Sequence, residues 1–171
     1  MTRSGWKCAR EPADVGAGEW SSHHAITTLM YRYAEYVDAA DFASIGALFA
    51  DGEMTTRGMS GAIVGADAVA GLYSHTNKVH PNGTLMTRHL TTNVIVDIDE
   101  DADTATARSS FVVFQATPKV ALAPIVAGRY RDRFRRVDGT WQFAQREMDV
   151  QQIGDVSDHL LIDLATVLPK G

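Results

Sequence analysis

The hydrophobic period of this chain changes once, from a helical three-and-four spacing to a two-residue alternation. That change restricts the fold more than any other feature. Ile26, Leu29, Met30, Tyr33 and Val37 recur on one helical face. Later, residues 85–99, 104–116, 125–137 and 140–150 form four segments rich in β-branched and aromatic residues. Helices followed by mainly antiparallel strands predict an α+β domain: a cone-shaped, curved sheet with the N-terminal helices packed on its concave side. Such a cone has an apolar interior open at one end.

Local signals place the joints. Ser21 or Ser22 is positioned to cap the first helix, and Ala39-Ala40 break its pattern. Asp41 opens a second helix carrying Phe42, Ile45, Leu48 and Phe49, which Asp51-Gly52 closes. Residues 53–64 read as a short strand pair punctuated by Gly58 and Gly61, and residues 67–73 as a short helix. Asp138-Gly139 predicts a two-residue hairpin turn, whereas Pro118 and Pro124 discourage a strand in the connection between them. The reading divides the chain into a tail (1–20), the cone domain (21–152) and an extension (153–171). In the extension, Leu160, Leu161, Leu164 and Leu168 suit a short helix over the cone's mouth or against a partner subunit.

A chain of 171 residues with 45% hydrophobic residues is one domain with a substantial core. Its net charge of −5 opposes nonspecific nucleic-acid binding. Arg129, Arg131, Arg133 and Arg135 alternate with Tyr130, Asp132 and Phe134, which predicts a solvated arginine face neutralised in part by Glu147 and Asp149. One cysteine, Cys8, rules out an intrachain disulfide and suits a reducing compartment. With no secretory or membrane-spanning run apparent, a cytoplasmic location is expected. The histidines lack zinc-site spacing, and neither a phosphate loop nor a Gly-x-Ser-x-Gly elbow occurs. No metal or other cofactor is expected.

Four polar residues stand where an apolar core would not place them: Tyr33, Asp38, His89 and Arg146. Pointing inward, they would equip an apolar pocket to move protons. Each also has an ordinary reading. Asp38 can be a helix-end carboxylate in water, about 140° around an ideal helix from Tyr33. Tyr33 can be a core tyrosine with one hydrogen-bond partner. Alternation sets His89 opposite Val94, Val96 and Ile98, so it shares their face only if the strand bulges between them. Arg146 meets the same parity problem against Trp141 and Phe143, and otherwise joins the outer arginines.

The stretch from Ile26 to Phe42, with Leu48-Phe-Ala-Asp-Gly, Thr87-Arg-His-Leu-Thr-Thr-Asn and the hairpin from Gly128 to Arg146, resembles the SnoaL-like domain of the nuclear transport factor two-like (cystatin-like) superfamily. The resemblance spans about residues 20–152. It implies the cone fold, and a superfamily holding dehydratases, isomerases, cyclases and noncatalytic subunits. Asp38 and His89 match the aspartate–histidine pair of its scytalone dehydratase-like and dehydrochlorinase-like members. Arg146 matches an arginine of their cavity, and Tyr33 a tyrosine of bile-acid dehydratase-like members. Two departures stand out: Gln115 is the nearest counterpart of a second histidine, and Val37 occupies the place of a tyrosine.

The resemblance implies a cofactor-independent lyase that eliminates water from a hydrophobic, oxygenated substrate of steroid or polyketide type. His89 would be the base, Asp38 its anchor, Tyr33 a donor to the carbonyl or leaving hydroxyl, and Arg146 a stabiliser of enolate charge. An isomerase with the same residues, or a noncatalytic binding or assembly protein, are the alternatives. A homodimer or higher oligomer is expected by analogy.

Overall fold

A computed structural model describes residues 17–162. Cys8, most of the expected tail, Leu164 and Leu168 lie outside the described residues. The elements are α1 (Ala17–Asp38), α2 (Phe42–Leu48), β1 (Glu53–Thr56), β2 (Ile63–Val64), α3 (Ala66–Thr76), β3 (Thr87–Asp99), β4 (Thr104–Gln115), β5 (Ala123–Val137) and β6 (Thr140–Ile153). The strands form one six-stranded sheet in the order β2-β1-β6-β5-β4-β3. All neighbours are antiparallel except β1 and β6. The architecture is α+β, as the change of period predicts.

Three local expectations need correction. α1 begins at Ala17, so neither Ser21 nor Ser22 caps it, and Ser22 is buried within it. A serine costs a helix interior only about 0.5 kcal/mol, so tertiary packing carries the helix through it. β5 begins at Ala123 and includes Pro124, tolerated where the β4–β5 register slips beside Phe114. No helix forms over residues 154–162. There Asp155 accepts a hydrogen bond from Ser157 N at 3.0 Å, and Leu160 makes an isolated bridge to Asn77. That local turn competes with helix formation.

Elsewhere the joints follow the sequence. Ala40 takes φ 56° and ends α1, and Asp41 caps α2 by accepting from Ser44 N at 3.1 Å. The arginine face is solvated, with Arg131 paired to Glu147 at 2.9 Å.

Helices and sheet enclose one core. Ile26, Met30, Tyr33 and Val37 of α1 meet Ile45, Phe49, Val69 and the inward residues of the sheet. Phe49 stacks on Phe143, with ring centroids 4.8 Å apart. Two bulges decide which polar groups join this face. In β3 the register slips between Thr92 and Ile95, with Asn93 at φ 53°. Thr87, His89 and Thr91 are therefore the sheltered residues before the slip, and Val94, Val96 and Ile98 after it. In β6 an extra residue sits between Phe143 and Gln145, which turns Arg146 onto the same face as Trp141 and Phe143. Gly52 closes on this second bulge: a Cβ there would stand 2.5 Å from Phe143 O.

Candidate active site

Asp38 is the last residue of α1, and β3 starts beside it. Its carbonyl accepts from Leu85 N at 3.3 Å. Its carboxylate accepts from Thr87 Oγ1 at 2.7 Å and from His89 N at 3.0 Å. The same carboxylate meets His89 Nδ1 at 2.7 Å. Burial opposes ionisation of Asp38, but the hydrogen bonds and charge of His89, with Thr87, outweigh it and hold the carboxyl below its usual value. A carboxylate can only accept, so His89 Nδ1 carries the proton and a neutral ring keeps its lone pair on Nε2.

His89 lines a cavity of about 220 Å³ between the helices and the sheet. Val37, Leu72, Phe111, Val113, Val126, Met148 and Val150 make its walls apolar. Phe111 stacks on Tyr130 with centroids 4.3 Å apart. Gly128 permits this, because a Cβ there would lie 2.9 Å from the Phe111 ring.

Three phenols gather on one side. Tyr33 meets Tyr73 and Tyr130 edge-on, with centroids 6.2 and 6.0 Å away. The Tyr33 and Tyr73 hydroxyls share a short hydrogen bond. Burial first, then Tyr33, pushes the Tyr73 and Tyr130 phenols well above their usual pKa, so both stay protonated. All three rings line the cavity.

Arg146 is fully buried but does not line that cavity. Its guanidinium grips Asp132 through Nε at 2.8 Å and Nη2 at 2.7 Å. The cation lies 4.2 Å from the Tyr33 ring centroid and 4.1 Å from that of Tyr130. Burial works against its charge, yet Asp132 more than offsets this and keeps its pKa above the ordinary arginine value. Arg146 therefore lies behind two of the phenols, and any action on a ligand passes through them.

The structure also adds residues that local spacing did not single out. Asp132 is buried on the inward face of β5. An aspartate between Tyr130 and Phe134 on an apolar strand face was the available signal, since a buried carboxylate demands a partner. His159 lines the cavity and is nearly buried, and no sequence pattern ties it to His89. Gln115, the residue in place of a second histidine, turns its amide away to donate to Leu85 O at 3.1 Å and Asp158 O at 3.2 Å. It thereby pins the segment that carries His159.

Among the described residues, no group of three histidine, cysteine or acidic side chains is placed to hold a metal ion. Among the same residues, no helix is long and apolar enough to cross a membrane.

A family model for the SnoaL-like domain matches residues 18–147. The chain belongs to the SnoaL-like family. No curated protein matches it. Among solved structures, this SnoaL-like chain is similar to a Mycobacterium tuberculosis protein of unknown function. The two are 28% identical with a TM-score of 0.66, covering 88% of this chain and 81% of that one. A nuclear transport factor two-like protein with a cystatin-like fold from Novosphingobium aromaticivorans is 22% identical, with a TM-score of 0.62, covering 86% and 96%. A proposed scytalone dehydratase from the same organism is 23% identical, with a TM-score of 0.63, covering 80% and 88%. The last two likenesses establish the cystatin-like fold of this SnoaL-like protein.

Proposed function

We propose that this protein is a cofactor-independent lyase that removes water from a compact, hydrophobic hydroxy-carbonyl compound. The reading rests chiefly on one observation: the Asp38–His89 contact of 2.7 Å at the wall of an apolar cavity. Membership of the SnoaL-like family and likeness to a proposed scytalone dehydratase support it.

In this reading His89 Nε2 takes the proton beside the carbonyl. The C–H electron pair becomes the new double bond, the C–O bond breaks, and the departing hydroxide leaves as water with a proton from the phenol cluster. Asp38 stabilises the imidazolium as it forms, an arrangement worth about 10²–10⁴-fold in rate. Tyr33, hydrogen-bonded to Tyr73, is the candidate donor. Arg146 is a positioning residue, since it holds the Tyr33 and Tyr130 rings rather than touching substrate. A volume of about 220 Å³ is below the roughly 300–1,000 Å³ of drug-sized sites, which favours a compact ring system over a steroid.

The test is incubation of the purified protein with 3-hydroxy-1-tetralone in deuterated water. Elimination gives 1-naphthol, read by its fluorescence, and the expected result is formation that His89→Gln abolishes. Deuterium uptake beside the carbonyl without loss of water overturns the lyase in favour of an isomerase. Neither reaction, on this and related β-hydroxy ketones, removes the case for proton abstraction.

A further inference from the structure

We propose that Tyr73 is a positioning residue: its hydroxyl donates to the Tyr33 oxygen and so leaves the Tyr33 proton facing the cavity, for a ligand oxygen to accept. The link to catalysis rests on the proposed elimination, in which Tyr33 gives up that proton. The order of the two hydroxyls does not.

Each phenol carries one hydrogen to donate, and its oxygen can also accept. Among the described residues, the Tyr73 hydroxyl has one hydrogen-bonding partner, the Tyr33 hydroxyl. The Tyr33 hydroxyl also meets the Met148 sulfur at 4.0 Å, and a thioether only accepts. Both hydrogens therefore find an acceptor only when Tyr73 donates to Tyr33. Met148 is itself a wall of the cavity, so the Tyr33 hydrogen points to the space that a ligand takes. Sulfur is a weak acceptor, and a ligand oxygen is the better partner for that hydrogen.

The direction of this bond matters for the chemistry. As Tyr33 releases its proton, negative charge gathers on its oxygen, and a donor already aimed there steadies that charge without reorganisation. Burial first, then Tyr33, pushes the Tyr73 phenol well above its usual pKa, so Tyr73 keeps its own proton and remains a donor. The Arg146 cation, 4.2 Å from the Tyr33 ring centroid, acts on the same charge from behind the ring. Tyr73 is also held in advance. It is buried on α3 and stacks on Phe42 with centroids 6.4 Å apart. Its carbonyl accepts from Asn77 N at 3.0 Å and from Asn77 Nδ2 at 3.1 Å, where the helix ends. A phenylalanine at this position keeps that packing and loses only the donor.

The test has a spectroscopic and a kinetic part. In protein labelled with carbon-13 at the tyrosine Cζ atoms, the hydroxyl proton shared by the pair is expected to correlate with the Tyr73 carbon. Adding 1-tetralone, whose oxygen only accepts, is expected to move the Tyr33 hydroxyl signal. Correlation with the Tyr33 carbon, or a Tyr33 signal that 1-tetralone leaves in place, overturns the inference. In turnover of 3-hydroxy-1-tetralone, Tyr73→Phe is expected to lower kcat about tenfold with KM little changed. In a Tyr33→Phe background the same substitution is expected to cost less than about twofold, because the oxygen that Tyr73 serves is gone. 3-Chloro-1-tetralone gives the same 1-naphthol, but its chloride leaves without a proton, so Tyr73→Phe should scarcely slow it. An equal loss in both backgrounds, or on both substrates, makes Tyr73 a packing residue and overturns the inference. If wild type leaves 3-hydroxy-1-tetralone unchanged, the lyase reading falls, and the proton correlation by itself decides the order of the hydroxyls.

Discussion

Asp38 holds His89 at two points, the backbone N–H at 3.0 Å and the ring Nδ1 at 2.7 Å. One carboxylate thus ties the end of α1 to the start of β3 and fixes the imidazole's tautomer together. Asp38→Asn keeps the size of the group but offers an amide that can donate as well as accept, so Nδ1 no longer has to carry the proton. The expected result is a fall in kcat of about 10²–10⁴-fold with the fold retained. Rate measurements on 3-hydroxy-1-tetralone, with circular dichroism as the control, check it.

Tyr33→Phe removes one hydroxyl from the phenol cluster and leaves the ring packing on Phe49, Tyr73 and Tyr130. A donor that acts on developing charge matters more in the transition state than in substrate binding. The expected outcome is a kcat loss of roughly 10²-fold with KM little changed. A change confined to KM would assign Tyr33 to binding alone.

The Arg146–Asp132 pair makes a stability prediction. Arg146→Ala leaves the fully buried Asp132 carboxylate without its counter-charge, and such a loss destabilises by about 3–5 kcal/mol. Replacing both, as Arg146→Met with Asp132→Leu, should recover most of that loss, because two desolvated charges vanish together. Urea denaturation of the single and double variants measures the difference.

His159 predicts a pH window. Its folded pKa of about 4 lies below the ordinary 6.5, so an unfolded chain takes up the proton first as pH falls. Its neutral form contributes fully above about 6.5, and that contribution is lost progressively down to about 4. The gap corresponds to at most about 3 kcal/mol. Asp38 and Asp158, both held below the ordinary 3.8, act only at lower pH. Urea midpoints from pH 7 to pH 4 should therefore fall less steeply for His159→Gln than for wild type. Parallel curves would refute the assignment.

The elements and their order were legible in the chain because periodicity is a local property. Three-and-four spacing around Ile26 and Val37, alternation after Leu85, and the turn residues Asp41 and Asp138-Gly139 all act over a few positions. Alternation along β3 also sets the condition for His89 to share a face with Val94 and Val96, a bulge between them. Whether the bulge exists depends on pairing with β4, and Asn93 in a left-handed conformation is where the slip occurs. The start of α1 departs from its local capping signal for the converse reason, since packing of its buried face outweighs the capping preference of two serines.

Only tertiary structure decided which polar groups meet. Asp38 and His89 are 51 positions apart, Tyr33 and Tyr73 are 40 apart, and Asp132 and Arg146 come from two paired strands. No short-range pattern encodes such meetings. They follow from how helices and a bulged sheet close on one another, and from the high cost of leaving a buried charge or hydrogen-bonding group unpaired. The sequence determined that this chain is an α+β cone with misplaced polar residues. The closure of helices on the sheet determined that one of them, Arg146, stands behind the cavity, and that His159, from the segment after the last strand, stands in it.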